Sequence, residues 1–178
     1  MVKFNKQDKL DIIENGAAWL VVMAMVLYGI GKSVQFHSAT PVGTPVSQLS
    51  GMELMWAFYG YSKGFVLLLG AFEIASALLL VFKKTRILGC VFLTTILTNV
   101  ILQDLFYNVN VGALHAAMIY QTAILSILWL NRARLLAAIK VLMNYQKVEV
   151  DRKKTIIKLL FTFVVFVVFR VIEYIITH

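Results

Sequence analysis

The chain has 178 residues, 60% of them hydrophobic, a formal net charge of +8 and a mean hydropathy of +0.81. That apolar content lies well above the roughly 45–50% of soluble domains, and the length leaves room for one helical bundle without a separate soluble domain. The charges gather in short segments between apolar runs, so they read as membrane topology and anionic-lipid contact; no basic stripe interleaved with aromatics supports a nucleic-acid partner.

In chain order, Lys3, Lys6 and Lys9 precede an apolar stretch at 17–36. Asp8, Asp11 and Glu14 interrupt this basic region, and the stretch outruns the apolar core of about 7–15 residues of a signal peptide, so it reads as a retained helix. Four more runs, at 65–82, 87–106, 113–130 and 156–176, also approach or reach the roughly 20 residues that cross a hydrocarbon core. In lipid each helix must satisfy its own backbone groups, and no alternating segments of about ten residues mark a β-barrel. The predicted fold class is therefore all-α, a polytopic transmembrane helical bundle. Residues 1–130 form its membrane core, and 131–178 add an amphipathic helix and a fifth transmembrane helix.

Between the first two spans, Pro41 and Pro45 mark a loop, and the aromatic-rich part at 52–61 predicts a short interfacial helix. Further on, 133–147 places Leu135, Leu136, Ile139, Leu142 and Met143 on one helical face and Arg134, Lys140, Asn144 and Lys147 elsewhere. That is the pattern of a cationic helix on the inner leaflet. Lys83, Lys84 and Arg86 lie between the second and third spans, and eight basic residues lie over 132–158, whereas the opposite loops hold only Lys63. The positive-inside rule then places the chain in the cell membrane with its N-terminus cytoplasmic and its C-terminus outside.

With a rise of about 1.5 Å per residue, Glu73 falls near the midplane, while Lys32, Asn99, Gln103, Asp104, His115, Arg170 and Glu173 fall in the outer half and Gln121 closer to the middle. Glu73 is a lone carboxylate in an apolar span. It costs roughly 2.5 kcal/mol or more unless neutral, paired or wetted, which makes it a candidate ligand, proton or ion-pair site. Lys32 is its basic partner in this reading. The other polar residues have plainer alternatives: Lys32 snorkelling to headgroups, Asp104 sitting in an interfacial loop, and Asn99 and Gln103 as interhelical glue worth about 0.6 kcal/mol each. His115 has the alternative of a packed histidine, and Arg170 and Glu173 that of an i,i+3 pair on one helix.

Cys90 is the sole cysteine, which excludes an intrachain disulfide or a CxxC pair and leaves a small residue in an apolar helix. His37, His115 and His178 lie far apart with no HxxxH or ExxH spacing, so no metal site is expected. The spacing of Ser62, His115 and Asp104 does not by itself argue a catalytic triad.

Several short segments carry a family likeness: Gly29-Ile30-Gly31-Lys32, Phe58-Tyr59-Gly60-Tyr61-Ser62, Gly70-Ala71-Phe72-Glu73, the run from Leu78 into Lys83-Lys84-Thr85, Gly89, Asn99-Val100 and Phe106-Tyr107-Asn108. Over roughly 29–129 the chain resembles the DoxX-like family of small integral membrane proteins. The resemblance implies a four-helix bundle with a polar pocket near the outer leaflet, and Lys32, Tyr61, Glu73 and Asn99 as its pocket residues. The family takes its name from a subunit of a thiosulfate:quinone oxidoreductase, and other relatives look like partners of redox enzymes or assembly factors.

The expected function is an integral membrane subunit that binds a membrane-soluble ligand, a quinone or a lipid, within a redox or envelope complex. Glu73 would exchange a proton, Lys32 would hold its charge, and Tyr59 or Tyr61 would cover the mouth. Asn99, Asp104 and His115 complete the ligand or proton set, with no residue assigned as catalytic. The bilayer is one partner. The segment 131–178 departs from the basic family pattern and is expected to dock a membrane protein. A non-catalytic structural or assembly factor is the alternative, and a small transporter a third class, without an evident inverted repeat.

Overall fold

The computed structural model describes residues 3–36, 43–144 and 152–177; His37, Pro41, Lys147 and His178 lie outside them. The regular structure of the described residues is helical, with no strand. In chain order it runs α1 (Lys6–Gln35), α2 (Gly51–Tyr61), α3 (Lys63–Val81), α4 (Arg86–Phe106), α5 (Val111–Leu130), α6 (Arg132–Met143) and α7 (Arg152–Thr177). Of these, α1, α3, α4, α5 and α7 are long and apolar enough to cross a membrane, which fits a multi-pass membrane protein in contact with lipid.

The first helix starts at Lys6, well before the predicted span at 17–36. Asn5 Oδ1 accepts the Asp8 N–H and Asp8 Oδ2 accepts the Asn5 N–H, each at 2.8 Å, a capping box that starts the helix there. The acidic residues that interrupt the hydropathy therefore belong to α1.

The chain divides into two compact units, Met1–Ala138 and Ile139–His178. In the first, α1 packs on α3, α3 on α4, α4 on α5 and α5 back on α1, closing a ring of four helices. Asp11 near the start of α1 meets Lys83 just beyond α3, while Gly29 near the end of α1 meets Gly70 in the first half of α3, so these two helices run antiparallel. Between α4 and α5 the turn passes through Asn108 at φ 49°, the left-handed region in which asparagine is enriched. Val21, Leu80, Leu93, Ile124 and Cys90 fill the core between the helices.

A second capping box, Ser50 with Glu53, starts α2. Gly51 sits so close to the Tyr107 backbone that a Cβ would collide with it, which anchors the start of α2 at the α4–α5 turn. The extended Ser62 (φ −127°, ψ 101°) breaks α2 from α3 and caps the latter by accepting the Phe65 N–H at 3.3 Å. The short helix expected at 52–61 is thus present as α2.

The second unit contains α7, no residue of which is buried. Arg170 and Glu173 pair along it at i,i+3, as the sequence predicts. The predicted amphipathic helix is present as α6, with Leu136, Ile139, Leu142 and Met143 exposed.

Candidate functional site

Within the four-helix ring and beneath α2 lies a cavity of about 1020 Å³, lined by residues of α1 to α5. Along α4 its wall extends from Phe92 to Asp104, roughly 18 Å of helix. The volume equals that of roughly 34 liquid waters, room for a chain-bearing molecule rather than an ion. Most of the wall is aliphatic or aromatic, and the polar groups on it are few and specific.

The charged centre is built by a close helix crossing. A Cβ on Gly29 would lie 2.7 Å from the Gly70 carbonyl oxygen, and one on Gly70 would lie 2.5 Å from the Gly29 oxygen. Only glycine lets the two backbones approach so closely. Lys32 and Glu73 each follow one of these glycines by three residues, about one turn along the same face. Lys32 Nζ lies 3.2 Å from Glu73 Oε1, with the side chains only 14% and 6% exposed. Lys32 therefore turns inward to Glu73 instead of snorkelling.

Two buried oxygens on the cavity wall, Glu73 Oε2 and Asp104 Oδ2, have no hydrogen-bond partner among the described residues. Asp104 is a buried residue of α4, so the interfacial-loop alternative is overturned. Next to it, Gln103 Nε2 donates to Asn99 Oδ1, and the Tyr59 hydroxyl donates to Gln103 Oε1 at 2.8 Å. Tyr59 stacks on Phe36 and Phe65, with ring centroids 4.9 and 6.1 Å away. Burial pushes its phenol above the usual range, against the opposing Gln103 hydrogen bond, so the group is a neutral donor at physiological pH.

Of the sequence-derived candidates, Lys32, Tyr59, Glu73, Asn99 and Asp104 come together on this cavity. Tyr61 does not: it is 92% exposed and off the wall, so the expectation that it covers the mouth is corrected. Residues two apart on a helix point to nearly opposite sides, and α2 turns Tyr59 inward. His115 is also exposed and off the wall, because α5 presents Ala113, Ala117 and Tyr120, spaced i, i+4, i+7, to the cavity.

Tyr28 and Tyr120 also line the cavity, edge-on to one another at 6.3 Å, and were not singled out because aromatics in apolar helices read as core. A second buried ion pair was missed as well. Arg86 Nη1 lies 2.7 Å from Glu14 Oε1, and Arg86 Nε donates to the Leu80 carbonyl at 3.1 Å, with side chains 4% and 14% exposed. The capping box before α1 could have signalled that Glu14 was helical; no local pattern signalled its partner. The described residues gather no group of three or more His, Cys, Asp or Glu side chains that could hold a metal.

Chemically, the cavity combines an apolar wall with one ion pair and acceptor oxygens that have no partner among the described residues. The chain is 32% identical over 110 residues to the uncharacterized protein YwoB of Bacillus subtilis (strain 168), across 61% of this chain and 70% of that protein. It belongs to the same family as YwoB. No family model matches the chain, and no solved structure does.

Proposed function

We propose that this is a membrane protein that binds a membrane-soluble amphiphile, a lipid or a quinone, in the cavity of its helix ring. The tail lies along the aliphatic and aromatic wall and the polar head reaches Lys32, Glu73 and Asp104. One observation carries the reading: a large, mostly apolar cavity bears a buried ion pair together with two buried carboxylate oxygens that have no partner among the described residues. Buried polar atoms are normally paired, and a few polar groups in an apolar cleft are the usual form of a ligand site.

The basic loops favour a cytoplasmic N-terminus in the cell membrane, which turns α2 and the upper cavity toward the outer leaflet. The DoxX-like resemblance over 29–129 supports membership of a redox or envelope complex. In that reading α7, with its unburied Phe- and Val-rich surface, meets lipid and a membrane protein partner.

The test is mass spectrometry of amphiphiles retained by protein extracted in polymer-bounded membrane discs. Wild type is compared with Ala117→Phe, which fills the cavity from α5. One amphiphile class enriched over the bulk membrane, and lost in the variant, is the expected result. Bulk composition in both proteins would sink the reading.

A structural reading has its own support, since the Lys32–Glu73 pair lies beside the Gly29–Gly70 crossing and ties α1 to α3. The two readings part on whether ligand content or stability follows the pair.

A further inference from the structure

We propose that the head group taken by the cavity is a donor-bearing ammonium, as in an aminophospholipid or a single-chain lipophilic amine. The inference rests on the amphiphile-binding reading and narrows its ligand class. Among the described residues, three ionisable groups other than phenols line the cavity: Lys32, Glu73 and Asp104. One cation faces two carboxyl groups. The Lys32 ammonium is engaged with Glu73 Oε1 at 3.2 Å. Two of the remaining oxygens, Glu73 Oε2 and Asp104 Oδ2, belong to residues only 4% and 7% exposed and have no partner among the described residues.

Three neighbouring donors are committed elsewhere. The Tyr59 hydroxyl is given to Gln103, the Gln103 amide to Asn99, and the Thr95 hydroxyl to the Phe92 carbonyl. The wall thus presents unsatisfied acceptors and an excess of acidic groups. A quinone head offers carbonyl acceptors and would leave those oxygens unmet. A quaternary ammonium carries charge without an N–H. A primary ammonium supplies both the positive charge and three donors, the complement of this wall.

Wild-type protein is reconstituted in vesicles of equimolar phosphatidylethanolamine and phosphatidylcholine, and the lipids retained on gentle release are counted by native mass spectrometry. Separate arms compare dodecylamine with dodecyltrimethylammonium as displacing probes. Phosphatidylethanolamine is expected to be retained over phosphatidylcholine by about tenfold or more, the factor one charge-assisted hydrogen bond supplies. Preference in the phospholipid arm assigns the head to an aminophospholipid; preference in the amine arm alone assigns it to a lipophilic amine. Asp104→Asn, which removes one of the two acceptor carboxylates, is expected to reduce the preference. Retention indifferent to head group in both arms overturns this inference and leaves the amphiphile reading standing. If neither lipid is retained and neither amine binds, both fall. Because the decisive arms use the wild type, a poorly folding variant cannot rescue or spoil the result.

Discussion

Glu14 and Arg86 form a buried ion pair 72 positions apart in the chain, Oε1 to Nη1 at 2.7 Å, joining the first part of α1 to the start of α4. Arg86 also donates through Nε to the Leu80 carbonyl, so its planar fork serves α3 as well. Removing one partner of such a pair strands the other charge, at a cost of about 3–5 kcal/mol. Glu14→Gln and Arg86→Gln should each lower the thermal midpoint markedly in a thiol-reactive dye assay. Arg86→Lys should not restore it, since one ammonium cannot reproduce both bonds. Asp11 and Lys83 also meet at 2.7 Å, but with side chains 43% and 54% exposed. Lys83→Ala should therefore barely move the thermal midpoint, since solvent screens an exposed pair. Equal losses at Lys83 and Arg86 would contradict this ranking.

The crossing of α1 and α3 gives a second prediction. Gly70→Ala drives a methyl group into the Gly29 carbonyl, and backbone cannot swing aside as a side-chain tip can. Overpacking of this kind costs about 1–3 kcal/mol. Gly31 has open space around its Cβ position, so Gly31→Ala should be neutral or gain up to about 1 kcal/mol in helix propensity. Guanidinium or SDS titration of the two variants separates these outcomes. A Gly31→Ala loss as large as that of Gly70→Ala would remove the case for a backbone contact.

The apolar runs located the four ring helices and α7 because lipid forces each span to be long, helical and greasy. Hydropathy placed the start of α1 too late, since Asp8, Asp11 and Glu14 depress it although Asn5 and Asp8 cap the helix. Glu73 and Lys32 were legible as partners from charge scarcity alone: few ions in an apolar bundle leave few pairings. Tyr59 and Tyr61 could not be separated without the angle at which α2 crosses the bundle. His115 failed for a similar reason, as depth along α5 does not give rotation about it. Asp104 reads as interfacial from its position near the end of α4, and its burial on the cavity wall depends on helix packing that depth alone does not give. Glu14 and Arg86 were invisible as a pair because each had a sufficient explanation in its own loop.

The basic segments predict that the C-terminus lies outside the cell membrane. A cysteine placed at His178 in a Cys90→Ser background should react with a membrane-impermeant maleimide in intact cells. A second cysteine at Lys84, between α3 and α4, should react only after permeabilisation. Reaction of position 178 only after permeabilisation would show that α7 does not cross.

The Lys32–Glu73 pair separates the ligand and structural readings, because each assigns the same atoms a different dependent quantity. Glu73→Gln keeps shape and a hydrogen-bonding amide but removes the charge that Lys32 faces at 3.2 Å. Lys32→Met removes the ammonium and keeps an unbranched chain. If the pair locks α1 to α3, each single variant strands a charge or loses a bond, and the double variant recovers part of the loss. The coupling from such a cycle should then exceed about 1 kcal/mol, with retained amphiphile unchanged. If the pair is a head-group site, Glu73→Gln should lose most of the retained amphiphile while the coupling energy stays within about 0.5 kcal/mol. Both quantities are measured on the same preparations, by thermal unfolding and by mass spectrometry of extracted lipids. The amphiphile-binding proposal expects ligand loss in Glu73→Gln to exceed any loss from Lys83→Ala, whose side chain lies off the cavity. Full ligand retention in both single variants and in the double variant would remove Glu73 from the site.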